Sequence, residues 1–153
     1  MPDARLPPAD AIVLGFDVGS RRIGVAVGSP LGGARAVAVV DVHPGGPDWN
    51  AVDRLQREWP PGGLVVGDPL TLDDSDQPAR RRARAFAHEL RARFALPVVM
   101  VDERSSSVEA AQRFARDRAA GNRRRRDGQA LDAAAAAVII ERWFDAPEDA
   151  API

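Results

Sequence analysis

Apolar residues fall along this chain in two rhythms. Three early runs are short and rich in valine: Ala11 to Val18, Arg22 to Gly28 and Ala34 to Val42. Gly19-Ser20 divides the first two, and Pro30 to Gly33 divides the second from the third, so they read as strands of an antiparallel meander. From Asp48 to Trp59 the period changes: Trp49, Val52, Leu55 and Trp59 recur at helical spacing, and Pro60, Pro61 and two glycines stop the helix. Gly63 to Gly67 is a short apolar strand. Beyond a polar loop from Asp68 to Pro78, a long helix carries Ala83, Phe86, Ala87, Leu90 and Phe94, and Pro97 to Asp102 is a further apolar strand. Ser106 with Glu109 three residues on forms a capping box that opens a helix toward Ala120. Gly121 to Gly128 breaks it, and a last helix spans Leu131 to Phe144.

Meandering strands followed by strand-helix alternation predict an α/β fold. Its sheet is mixed and five-stranded, an antiparallel three-strand meander plus two parallel strands, with helices on both faces. A chain of 153 residues is one domain's worth. The expected organisation is a flexible proline-containing segment over 1–10, one domain over 11–145, and a frayed acidic tail over 146–153.

Composition narrows the chemistry. The chain has no cysteine and no lysine, all 21 basic residues being arginine, which excludes disulfides, thiolate zinc sites, a Walker A loop and Schiff-base mechanisms. With His43 and His88 the only histidines, any metal must rest on oxygen ligands, which points to magnesium or manganese. No apolar run has the length of a membrane span and the start lacks the basic and apolar regions of a secretory signal, so the expected location is cytoplasmic, with no membrane partner. The net charge of -1 hides an asymmetry. Residues 78–126 hold 14 Arg against 5 acidic residues, a net of +9, while 1–77 and 127–153 each carry -5. A basic middle between acidic ends fits a phosphate-binding face beside carboxylates, although charge runs also serve only to solvate helices.

Three acids stand where chemistry could use them. Asp17 ends a strand otherwise made of Ile12, Val13, Leu14 and Phe16, which places it at the sheet rim where ligands bind; the alternative is that it organises the turn into Gly19. Asp102 and Glu103 end another strand, and since neighbours point to opposite faces only one can share the direction of Asp17. Spacing does not choose between them. Asp132 heads a helix face continued by Ala135, Ala136, Ile139 and Trp143, where an acid needs a partner or a metal unless it caps the helix. Carboxylates from two strand ends and a helix suit two hard cations, the arrangement that serves phosphodiester hydrolysis. Asp68 also follows a strand and is a possible further ligand at the same rim.

The stretches GFDVGSRRIGVAVGS (Gly15 to Ser29), VVGDPL (Val65 to Leu70), DERSSSVEA (Asp102 to Ala110) and LDAAAAAVIIERWFD (Leu131 to Asp145) resemble, in order, those of the YqgF family. Its members are described as Holliday junction resolvases or as pre-16S ribosomal RNA nucleases. The resemblance implies an RNase H-like fold, magnesium, and catalytic, metal-binding acids at Asp17, Glu103 and Asp132, so it selects Glu103 over Asp102. Two positions depart from the pattern: Asp68 replaces a usual apolar residue, and Thr71 to Ser75 replaces the usual Asn-x-Asp-Gly-Thr loop.

The expected activity is therefore that of a metal-dependent nuclease acting on ribosomal RNA precursor. Arg21, Arg22, Arg104, Arg123, Arg124, Arg125 and Arg126 would position phosphates. Branched DNA is the alternative substrate and would require a two-fold dimer; the sequence is compatible with a monomer and a homodimer. A non-catalytic nucleic-acid-binding module is a further reading. Asp17-Val18-Gly19-Ser20 also looks like a phosphate loop of the actin-like ATPases, but those need a second domain and a second loop.

Overall fold

The structure, a computed structural model, describes residues 5–69, 78–102 and 127–153. The meander forms as expected: β1 (Val13–Val18) pairs antiparallel with β2 (Arg22–Ser29), and β2 with β3 (Gly33–His43). A two-residue strand β4 (Gly46–Pro47) folds back on β3, and α1 (Trp49–Glu58) follows, with the Asp48 carboxylate accepting from the Ala51 amide at its N-terminus. β5 (Gly63–Asp68) lies parallel to β1, α2 (Pro78–Phe94) crosses over, and β6 (Val98–Asp102) lies parallel to β5. α3 runs Asp127–Asp145, starting four residues before Leu131. The helix expected over 106–120 and the Arg123–Arg126 break lie outside the described residues.

The chain's end departs from expectation. Instead of fraying, it makes a 3-10 turn (Pro147–Asp149) and a strand β7 (Ala151–Pro152) that pairs antiparallel with β6. The Ile153 amide donates to the Val98 carbonyl at 2.9 Å, and Arg91 donates to the Ile153 carbonyl. β6 would otherwise present an open edge of unpaired backbone groups, which the tail covers. Near the other end Pro7 is buried against Gly63, while Arg5, Leu6 and Pro8 to Asp10 are exposed. The sheet order is β4-β3-β2-β1-β5-β6-β7, seven strands rather than five, the additions being the two short edge pieces.

Strand alternation splits the core between the faces of the sheet. On one face Leu14, Phe16, Ile23, Val25, Leu64, Val66, Val98 and Met100 pack with α1 and α2, where Phe86 meets Phe16 edge-on at 5.2 Å and stacks on Trp49 at 5.1 Å. On the other, Val13, Ala26, Val65, Val99 and Val101 pack with Ala136, Ile139, Ile140 and Trp143 of α3. The seat for α3 is made of glycine: a Cβ on Gly15 would fall 2.4 Å from the Ile140 side chain, and one on Gly28 2.6 Å from it. Among the described residues, no helix is long and apolar enough to cross a membrane.

Candidate functional site

β1, β5 and β6 run parallel, so Asp17, next to last in β1, and Asp68 and Asp102, last in β5 and β6, reach one rim of the sheet. They do not reach one face. Asp17 shares the parity of Val13, which packs with α3. Asp68 shares that of Leu64 and Val66, and Asp102 that of Val98 and Met100, all of which face α1 and α2. Asp68 therefore shares the rim with Asp17 but stands on the opposite face of the sheet. Asp68 is instead buried against α2, where Arg80 Nε donates to its Oδ1 at 3.1 Å.

Asp132 comes to the Asp17 face through Gly24. Asp17 and Gly24 are directly paired across β1 and β2, and a Cβ on Gly24 would lie 2.0 Å from the Asp132 carbonyl oxygen. The α3 backbone at Asp132 therefore rests on the strand position opposite Asp17, closer than any side chain would permit. The capping alternative for Asp132 also falls away, because α3 begins at Asp127 and Asp132 lies within the helix. Ala135, Ala136, Ile139 and Trp143 on its stripe are buried as expected. Asp132 itself keeps 31% of its side chain exposed and accepts from Arg22 Nε at 2.8 Å.

Arg22 was expected at a phosphate and is found on a carboxylate. It precedes Gly24 by two residues on β2, hence on the same face, with 42% of its side chain exposed. Arg21 is exposed beside the β1–β2 turn, its carbonyl held by the Val42 amide at 2.8 Å. Glu103, Arg104 and Arg123, Arg124, Arg125 and Arg126 lie outside the described residues. Among the described residues no three histidines or acids converge closely enough to hold a metal ion. Asp17 and Asp132 supply two hard oxygen donors on one face, and Asp132 pairs with the Arg22 guanidinium there.

The other face of the rim holds a cavity of about 370 Å³ walled by Val18, Ile23, Val42, Pro47, Trp49 and Phe86. Its walls are mainly apolar, with His43 and Arg82 also lining it, and its single carboxylate, Glu89, is engaged by Arg93 at 3.0 Å, a poor setting for a hard cation.

Two features of this rim lie beyond the pattern of apolar and polar positions. The Asp68–Arg80 and Arg22–Asp132 pairs join strand residues to helices at separations without periodicity, so no pattern announces them. The glycine seat did have a signal: Gly24, Ala26 and Gly28 alternate on β2, and Ala133 to Ala137 form a run of small residues to match.

A mixed sheet with an antiparallel meander, parallel strands ending in acids at one rim, and a helix that brings a further acid to one face define an RNase H-like domain. Thermus thermophilus RuvC has this fold, matching with a TM-score of 0.54 at 18% identity over 93% of this chain and 99% of its own. A structure of the same protein with a Holliday junction substrate matches with the same score at 19% identity, over the same shares. More particularly, residues 11–146 match the family model described as "RuvX: Holliday junction resolvase", and the chain belongs to that family. Similar proteins include one of Xanthomonas campestris pv. campestris strain B100, 74% identical over 151 residues (98% of this chain, 97% of the relative) and named "Putative pre-16S rRNA nuclease". One of Xanthomonas oryzae pv. oryzae strain PXO99A bears the same name and is 71% identical over the same shares.

Proposed function

We propose that this protein is a divalent-metal-dependent nuclease that hydrolyses phosphodiester bonds at the 5′ end of the pre-16S ribosomal RNA, working in the cytoplasm with residues 11–145 as its single catalytic unit. The observation that carries the reading is the placement of Asp17 and Asp132 on one face of the rim, made possible by Gly24. The names of the Xanthomonas relatives support the substrate. Asp17 and Asp132 would hold the metal, with Glu103 as third ligand. Asp102 faces α2 with Asp68, which favours its neighbour in the sequence for the Asp17 face.

When bound, one or two Mg2+ or Mn2+ ions supply an activated water and neutralise charge on the departing oxygen. The chain's own contribution is orientation. The α3 backbone seated on Gly24 fixes Asp132 relative to Asp17, and Arg21 and Arg22 flank that position with positive charge suited to phosphate oxygens. Arg104 and Arg123 to Arg126 would extend the phosphate contacts along the strand.

The family model's description favours a second reading, cleavage of four-way DNA junctions, which demands a two-fold dimer presenting two sites. Incubating the protein with Mg2+ and either precursor RNA or a four-way junction, together with a measurement of its mass in solution, decides between them. Cleavage of the RNA by a monomer is expected. Cleavage of the junction alone, by a dimer, would replace the first reading with the second, and cleavage of neither would remove both.

A further inference from the structure

Asp132 already has a cation. Arg22 Nε lies 2.8 Å from its Oδ2, and both side chains are substantially exposed, at 42% and 31%. By contrast Arg80 on Asp68 has 24% and its acid 12%, so of these two pairs the Arg22 pair is the more open to solvent and to ions from it. A divalent ion on Asp132 would sit against the guanidinium, and like charges repel steeply at such separations. An exposed pair is weakly held, so Arg22 is displaced at small cost. Once displaced it remains on the α3 face of β2, beside Asp17, where the nearest new negative charge is a substrate phosphate.

We propose that Arg22 and the divalent metal exchange on Asp132: the arginine is the resident counter-charge of the metal-binding carboxylate, and metal binding releases it to the phosphate of the strand to be cut. Arg22 is thus a positioning residue that couples two binding events. Metal strengthens the hold on substrate, and substrate, by giving Arg22 another partner, strengthens the hold on metal by the same factor. The inference rests on the metal site proposed above.

The test is Mn2+ binding to the full chain, followed by electron paramagnetic resonance of the free ion, for wild type, Arg22→Gln, Arg22→Lys and Asp132→Asn, each checked for folding by thermal melting. Removing a competitor of this exposed kind should tighten Mn2+ binding by about two- to fivefold in Arg22→Gln, while Arg22→Lys, which keeps the charge, stays near wild type. An uncleavable phosphorothioate oligonucleotide should then raise Mn2+ affinity more in wild type than in Arg22→Gln. Unchanged or weakened Mn2+ binding in Arg22→Gln overturns the exchange, as does equal tightening in Arg22→Lys. Should wild type and Asp132→Asn not differ in Mn2+ binding, the metal assignment itself fails and the exchange goes with it.

Discussion

The rim of the sheet carries the same ingredients twice, carboxylates at strand ends and an arginine from another element, yet its two faces are built differently. On the α2 face Asp68 is buried and its arginine mostly covered, beside a core of Phe16, Phe86 and Trp49. On the α3 face Asp132 and Arg22 are open, and the helix beneath them rests on glycine, packing through Ala136 and Ala137 near the rim and through Ile139, Ile140 and Trp143 further along. The first arrangement ties α2 to the end of β5. The second brings a helix so near a strand that two acids from distant parts of the chain share a face while staying accessible. On the proposed function, face and exposure rather than proximity to the rim separate a metal ligand from a latch.

Substitutions on the two faces should separate accordingly. The largest expected effect is that of Asp17→Asn. Changing the groups that merely support a metal ligand typically costs 10- to 100-fold, so losing a ligand should lower the rate of Mg2+-dependent cleavage by more than about 100-fold. Survival of cleavage in this variant would erase the contrast between the faces.

Next comes Gly24→Ala. The added methyl would meet the Asp132 backbone, which cannot rotate away, so α3 must shift at a cost of about 1–3 kcal/mol in stability, measurable by urea unfolding. Cleavage should fall with it, since the same shift separates Asp132 from Asp17. A neutral effect on both would mean that the close seat does not fix the site.

Asp68→Ala removes the buried carboxylate that accepts from Arg80 Nε. The pair retains some exposure, so the expected loss is about 1–2 kcal/mol, less than for a fully buried pair, with cleavage by the residual folded enzyme preserved. Smaller still is removal of residues 151–153, which strips the short β7 pairing and the Ile153 contacts from the edge of β6. A loss of about 1 kcal/mol and a greater tendency to associate through the bared edge are expected, the latter read by light scattering.

Much of this contrast is legible in the sequence, and the remainder is not for identifiable reasons. The meander, α1, α2 and the parallel strands follow from period and turn residues, since each is decided by its own few neighbours. Asp17 and Asp132 stand out because an acid inside an apolar pattern is costly without a partner. The face of Asp68 is another matter: it follows from its register with Asp102 and its partner on α2, both tertiary facts. The docking of the tail was hidden because a two-residue strand has no period and owes its form to the edge it meets. Gly24 was in plain view, but its meaning depends on which helix lies across it.

The most direct test of the account compares Asp132→Asn with Asp68→Asn in Mg2+-dependent cleavage of precursor 16S RNA. The account predicts that folded Asp132→Asn is inert while Asp68→Asn, though less stable, still cuts. An inert, folded Asp68→Asn beside an active Asp132→Asn would place the chemistry on the wrong face and contradict it.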